Sequence, residues 1–289
     1  MDFNSLRAFA AVGELGSFSA AGRDLHLSQP AISKRITLLE DRLGTRLFLR
    51  TGHGIRLTQA GATLLPLARS ILSDVDAAER TVQNLAGNVA GPLSIVTNHH
   101  IGLWRLPAVL KRFAGDHPEV RLDLRFTDSE PAHQLVQDGA VELGIVTLAP
   151  ERQAQLDTLP LWQDTLRVVV GRQHELAGVE DARLADLAKH RAVLPDLSTY
   201  TGRLVRERMA ELGLTLRDVV TTNYLETLRM MAETGLGWSL LPETMLGSEL
   251  RTIDVPEFTL SRQLGLIHHR RRTPSNAAQA FITAVSAQE

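Results

Sequence analysis

The chain has 289 residues, of which 44% are apolar and 22% charged, with a formal net charge of -2 and no cysteine. That is enough for about two domains with sizeable buried cores, and no stretch approaches the roughly 18 consecutive apolar residues of a membrane span. Without thiols this chain has no disulfide, thiolate metal site, cysteine nucleophile or cysteine-based oxidant sensor.

The charge is unevenly placed. Residues 1–58 carry eight Lys and Arg against five Asp and Glu, a balance of +3 that leaves -5 for the remainder. A basic end on an otherwise acidic chain points to a polyanionic partner for that end alone. The opening MDFNSLRAFAAVGELG has an apolar patch interrupted by Arg7 and Glu14 and no basic leader, so a cytoplasmic protein is expected.

Leu6, Phe9, Ala10 and Gly13 recur at helical spacing and predict a first helix over residues 2–13. Ser19 is the expected cap of a second helix, AAGRDLH, and Ser28 of a third, QPAISKRITLLEDRLG. Pro30 falls in the third helix's first turn, where its missing N–H would have had no partner within the helix. Two helices meeting across about three residues make a helix-turn-helix. On the third helix Ile32, Ile36, Leu39 and Leu43 line one buried stripe, which turns Pro30, Lys34 and Thr37 outward with Ser33 and Arg35 on the flanks. Slim polar side chains allow close approach to base edges and cations meet phosphates, so this face suits a major groove. A merely solvated face is the blander alternative.

After Gly44, TRLFLRTGHGIRLT alternates around a Gly52-His53-Gly54 tip and predicts a hairpin wing, from which Arg50, His53 and Arg56 reach phosphates or the adjacent minor groove. Taken alone, His53 reads as a solvated loop histidine. From Thr58 to about Asn88 one long helix is expected, with Leu64, Ala68, Ile71, Val75, Ala78, Val82 and Leu85 spaced alternately by four and three as in a coiled-coil seam. One helix cannot bury such a stripe by itself. It is expected to pair two copies of the chain, packing on its own domain being the alternative. GNVAGP (87–92) reads as a hinge.

Beyond Gly91 strands and helices alternate. PLSIVT, VRLDLRF and VELGIVT form one series with helices near 101–115 and 130–138. LRVVVG, AVLP, VVTTN and GWSLLP form a second with helices near 201–213 and 225–235. This is the rhythm of parallel sheets covered by helices, which bind ligands beyond the strands' carboxyl ends, where helix N-termini favour anions. The loops at Thr97–His100 and Leu197–Thr201 occupy that position. His99-His100 has no nearby carboxylate or cysteine to complete a metal site. The basic tract His268–Arg272 follows a predicted strand and reads as its solvated exit. Gly235 and Gly237 form no phosphate loop, and no nucleophile elbow occurs. No catalysis, metal or cofactor is expected.

The stretch GSFSAAGRDLHLSQPAISKRITLLEDRLGTRLFLRTGHGIRLTQAG resembles the winged helix-turn-helix of LysR-type transcriptional regulators, with SQPAIS, the LE, LG and LF pairs and LTQAG in register. HPEV, VELGIV and TGLGWSLLP resemble that family's effector-binding domain more loosely. The resemblance implies a winged helix-turn-helix over 1–58 and a dimerising linker helix over 59–90. It also implies a two-lobed α/β domain of periplasmic-binding-protein type over 91–289, lobe I being about 91–162 with 268–289 and lobe II about 163–267. Carried over residue by residue, Gln29, Pro30, Ser33 and Lys34 face bases or their backbone, and the wing from Arg50 to Arg56 holds the flanking duplex. His53 stands where the family commonly has a basic residue. A small anionic effector would lie between the lobes, met by Thr97, Asn98 and His99 on one side and by Ser198, Thr199, Tyr200 and Thr201 on the other, with Thr147 at the waist. The implied partners are a double-stranded DNA operator, a second copy in a homodimer or homotetramer, and the transcription machinery, but no membrane. An α/β solute-binding protein or enzyme with incidental basicity, and a non-specific architectural DNA binder, are the competing readings.

Overall fold

The computed structural model describes residues 2–51, 54–85, 87–179, 182–216 and 218–287. The chain divides into two compact units, Met1–Gly87 with Asp138–Ala140, and the remainder from Asn88 to Glu289. No helix among the described residues is long and apolar enough to cross a membrane.

The first unit begins with α1 (Phe3–Leu15), capped by the Asp2 carboxylate, which accepts the Ser5 N–H at 2.9 Å. It ends at Gly16 in a left-handed conformation (φ 61°) that reverses the chain directly into α2 (Phe18–Asp24). The cap of α2 is therefore Ser17, accepting from Ala20 N–H at 3.2 Å, and not Ser19, which lies inside the helix. Ser28 caps α3 (Gln29–Leu43) through the Ala31 N–H at 3.3 Å, and Pro30 sits in its first turn. Gly22 is required between these helices, since a Cβ there would lie 2.7 Å from the Leu27 carbonyl oxygen. Then come β1 (Phe48–Thr51) and β2 (Gly54–Leu57), an antiparallel pair, and the long α4 (Gln59–Asn84), which tolerates Pro66 at the loss of one helical hydrogen bond.

Phe9, Ile32, Ile36, Leu39 and Leu47 form the core of this unit, each side chain contributing roughly 1.5–3 kcal/mol by leaving water. Leu43, the end of the stripe on α3, is 41% exposed instead. The Phe48 ring lies 5.4 Å from Phe9 and 5.8 Å from Phe18, so aromatic packing fixes the root of the hairpin to the helices. The seam predicted on α4 is divided. Ala68 is fully buried in this core with Leu64 and Ile71 packed against it, so these three have partners within the chain, whereas Ala78 is exposed, Val82 is 68% exposed, and Leu85, predicted to lie on the helix, falls one residue past its end and is 85% exposed.

From Asn88 the order is β3 (Gly91–Thr97), α5 (His99–Trp104), α6 (Pro107–Asp116), β4 (Val120–Phe126), α7 (Ser129–Gln137) and β5 (Leu143–Thr147), then the long β6 (Leu156–Gly171). There follow α8 (Leu184–Leu187), β7 (Ala192–Leu194), α9 (Tyr200–Glu211), β8 (Val219–Thr221), α10 (Leu225–Glu233), β9 (Trp238–Pro242), β10 (Leu250–Ile253), β11 (Leu260–His269) and α11 (Asn276–Ser286). The helix predicted near 101–115 is two helices, because Pro107 has no N–H to continue α5 and instead opens α6.

One nine-stranded sheet runs in the order β4-β3-β5-β11-β6-β9-β7-β8, with β10 on β6. Its two ends are parallel, as predicted: β4, β3 and β5 in lobe I, β8, β7 and β9 in lobe II. The middle is antiparallel, since β6 and β11 pair from Leu260↔Leu166 to His269↔Leu156, with a bulge at Leu264/Gly265. These two strands serve both lobes. β11 completes lobe I against β5 and β6 completes lobe II against β9. In lobe I, Ile95, Phe113, Ile145, Leu266 and Phe281 fill one face of the sheet and Val96, Val136, Val146 and Ile267 the other. Trp238, Leu240 and Phe258 do so in lobe II, opposite Val193, Leu228 and Leu241. Strands covered by helices on both faces are buried throughout and mostly apolar, as β5 and β9 are.

Candidate functional site

Two places in the fold gather the side chains singled out from the sequence. The first is the outer face of α3. With Ile32, Ile36 and Leu39 buried, Gln29, Pro30, Lys34 and Thr37 are exposed and Ser33 and Arg35 half-buried. No acidic residue occurs from Gln29 to Leu39, so the face is basic and low in relief. Arg56 is exposed on β2. Arg50 pairs with Ile55 through the backbone of β1, which is all the structure describes of it, and His53 lies outside the described residues.

What holds the wing beside this helix was not legible in the sequence. Glu40 stands one turn after Ile36 on the buried stripe and is only 6% exposed. Its Oε1 accepts the N–H groups of Leu47 at 2.7 Å and Phe48 at 3.3 Å, and its Oε2 accepts from Arg46 at 2.9 Å. A carboxylate on α3 thus satisfies the donors at the entry to β1 and sets the hairpin against that helix. The only signal was a charge at an apolar position of the helical pattern, since burying it unpaired would be prohibitive.

The second place is a narrow cleft between the lobes, open to solvent, lined by Asn98, His99, Ser129, Thr147, Thr199 and Tyr200 among others. Most of the polar residues placed here by sequence already have internal tasks. Thr97 is buried and donates to the Ile145 carbonyl at 2.7 Å, bracing two strands, and it does not line the cleft. Asn98 caps α5 through Ile101 N–H at 2.8 Å and donates to the Ser129 hydroxyl at 3.2 Å. The Ser198 hydroxyl turns to Asp196 Oδ1 at 2.6 Å, within its own loop, and is likewise absent from the lining. Thr199 caps α9 by accepting from Gly202 N–H at 3.0 Å and donates to the Asp196 carbonyl at 2.7 Å. Gly202 is needed there, a Cβ being only 2.1 Å from that carbonyl oxygen. Thr147 is buried at the waist, its N–H donating to Ser129 Oγ at 3.1 Å. His99 is exposed at the mouth, stacked on Phe126 at 5.4 Å and edge-on to Tyr224 of the other lobe at 5.1 Å.

The floor is charged and buried. Asp164 on β6 is 1% exposed and accepts from Arg262 Nε on β11 at 2.9 Å, with Arg262 Nη2 at 2.8 Å and Arg105 Nη2 at 3.6 Å. Arg262 Nη1 donates to the Thr201 hydroxyl at 2.8 Å, so Thr201 is tied to the floor. His100 is buried beside this group, its Nε2 4.0 Å from Asp164 Oδ2. Burial first, then the Arg262 guanidinium, push its pKa down to about 4 against the opposing influence of Asp164 and Glu226. The imidazole is therefore neutral at neutral pH.

Several cross-lobe contacts were equally invisible in the sequence. Glu130 accepts the N–H of Tyr200, Asn223 Nδ2 donates to Asp128 Oδ2 at 2.7 Å, Trp104 Nε1 to Glu226 Oε1 at 3.1 Å, and Gln153 Nε2 to the Tyr200 hydroxyl at 3.4 Å. These pairs lie 47 to 122 residues apart in the chain.

Residues 3–62 match the family model described as bacterial regulatory helix-turn-helix protein, lysR family, and residues 86–289 match that of the LysR substrate binding domain. The chain is 32% identical over 248 residues to the probable nitrogen assimilation transcriptional activator of Synechococcus elongatus, covering 85% of this chain and 80% of that one. It is 29% identical over 286 residues to the RuBisCO operon transcriptional regulator of Allochromatium vinosum, covering 97% and 94%. A full-length OxyR variant from Pseudomonas aeruginosa shares the fold with a TM-score of 0.75 at 22% identity, covering 100% of this chain and 99% of that one.

Proposed function

The chain belongs to the LysR family of DNA-binding transcriptional regulators, and on that premise we propose that α3 reads a specific operator while the cleft between the lobes takes a small-molecule effector. The observation that carries the first part is the exposed face of Gln29, Pro30, Lys34 and Thr37 over a buried apolar stripe. Ser33, Lys34, Arg35 and Gln29 supply base-edge contacts, and Arg50, His53 and Arg56 the flanking phosphates. On this reading the DNA-binding domain is 1–58, the linker 59–90 and the effector domain 91–289. The far half of α4, with Ala78 and Val82 bare and Leu85 bare just past its end, pairs two copies of the chain, and a dimer engages two half-sites together.

The effector proposed is a small carboxylate. Supporting this are the N–H at the start of α9, which already holds a carboxylate, and Arg262 at the floor of the same cavity. Its occupancy biases an equilibrium between arrangements of the assembled protein, which requires unequal affinity for them. The role is regulatory, with no cofactor and no catalytic step. Fluorescence anisotropy tests the DNA assignment. Ser33→Ala and Lys34→Ala should weaken operator binding by about 1–3 kcal/mol more than random-duplex binding, and Arg56→Ala should weaken both alike. An unchanged specificity ratio in the α3 variants would refute base reading by this helix.

A further inference from the structure

A carboxylate of the protein itself stands where the ligand is expected. Glu130 lies in the first turn of α7 in lobe I, and its Oε1 accepts the backbone N–H of Tyr200, the first residue of α9 in lobe II. That N–H is one that a helix leaves unpaired, at the positive end of a 12-residue helix. Thr199 takes the N–H of Gly202, so Thr199 and Glu130 between them take two of the N–H groups at the start of α9. The neighbouring Asp128 holds Asn223 across the same cleft at 2.7 Å.

Deeper in the same cavity the situation is reversed. His100 is 4% exposed, and neither ring nitrogen has a hydrogen-bond partner among the described residues. Arg262, 9% exposed, is by contrast already held by Asp164 and Thr201. Buried polar groups left as those of His100 are costly unless something else comes to meet them. The cleft therefore has one ligand position filled from within and another, further in, with polar atoms unmet.

We propose that Glu130 is a built-in competitor of the effector, closing the cleft by occupying the carboxylate position at the start of α9 until an incoming anion displaces it. This rests on the reading that the effector enters this cleft. The consequence is selectivity. A simple monocarboxylate only exchanges one carboxylate for another at Tyr200 N–H and gains little. A ligand whose second polar group also reaches His100 satisfies atoms that Glu130 does not and can win the exchange. The effector class this assigns is a carboxylate with a second hydrogen-bonding group, and common monocarboxylates are turned away.

Acetate reproduces the Glu130 headgroup and is the probe. In the full-length protein, removal of the competitor by Glu130→Ala should lower the acetate concentration needed for a given rise in melting temperature by about tenfold or more relative to wild type. The Tyr200 amide resonance should move as acetate is added. Acetamide, neutral and of the same shape, should produce neither effect. If Glu130→Ala fails to fold, Glu130→Gln fills the space without the charge and should show the same change in smaller measure. Acetate acting equally on wild type and variant, acetamide acting as well as acetate, or an unmoved Tyr200 amide would each overturn the proposal. None of these results depends on knowing the effector, so effector binding elsewhere in the protein would refute the cleft reading and leave the acetate result standing.

Discussion

The outer face of α3 and the interlobe cleft are both polar sites, but their side chains are differently committed. On α3 the groups proposed to meet DNA are exposed or, for Ser33 and Arg35, half-buried, while the work of holding the helix and wing falls to other residues, Ser28 and Glu40. Around the cleft, Asn98, Thr199 and Thr201 are engaged in caps and the floor, while Thr97 braces two strands and Ser198 turns into its own loop, neither of them lining it. A flat face for a large partner can leave its polar groups to water. A cleft cannot, because groups removed from water must be paired within the protein. Polar residues at a cavity are consequently structural first, and those left unpaired or paired across the lobes carry the information about a ligand.

The largest effect expected from this contrast is on α4, which carries an inward and an outward half of one stripe. Ala68→Asp places a carboxylate in a dry core and should destabilise the first unit by about 3 kcal/mol or more. Leu85→Asp, at an exposed position, should leave melting within about 0.5 kcal/mol of wild type yet separate the paired copies. Thermal unfolding together with sedimentation measures both, and a Leu85→Asp protein that stays associated would show that the exposed stretch around the end of α4 is not the pairing surface.

The next effect separates the buried floor from the exposed face by acid. His100 has a folded pKa of about 4, below the value near 6.5 of an unfolded histidine. Both states are neutral at this residue above pH 6.5. As pH falls from there toward 4 the unfolded chain binds a proton that the folded one refuses, so stability is lost, up to about 3 kcal/mol. His100→Gln should flatten the dependence of the melting temperature on pH across that window. An equally steep decline in the variant would mean that other groups govern acid sensitivity.

The smallest effect tests the commitment of the cleft's hydroxyls. Thr199→Val removes a cap whose oxygen both accepts from Gly202 and donates to Asp196, and should reduce stability by about 1 kcal/mol without altering operator affinity. Urea unfolding reads the first and anisotropy the second. Unchanged stability would mean that the hydroxyl is dispensable to the helix and free for a ligand.

Local and periodic features were legible from the residues alone. The spacing of Ile32, Ile36 and Leu39 fixed which face of α3 is outward, Ser28 and Pro30 fixed where that helix begins, and alternating strands and helices marked the two lobes and the loops at Asn98 and Thr199. These follow from backbone geometry over a few residues. Tertiary structure decided what depends on residues far apart in the chain. It turned Glu40 into the anchor of the wing, gave Leu64, Ala68 and Ile71 partners within their own domain, and put an antiparallel β6/β11 pair at the centre of a sheet whose ends are parallel. It also brought Asp164 to Arg262 and Glu130 to Tyr200, pairs 98 and 70 residues apart. A carboxylate beside Tyr200 leaves no periodic trace in sequence, because its partner is a backbone N–H that every residue except proline possesses and that only the closing of one lobe on the other brings within reach.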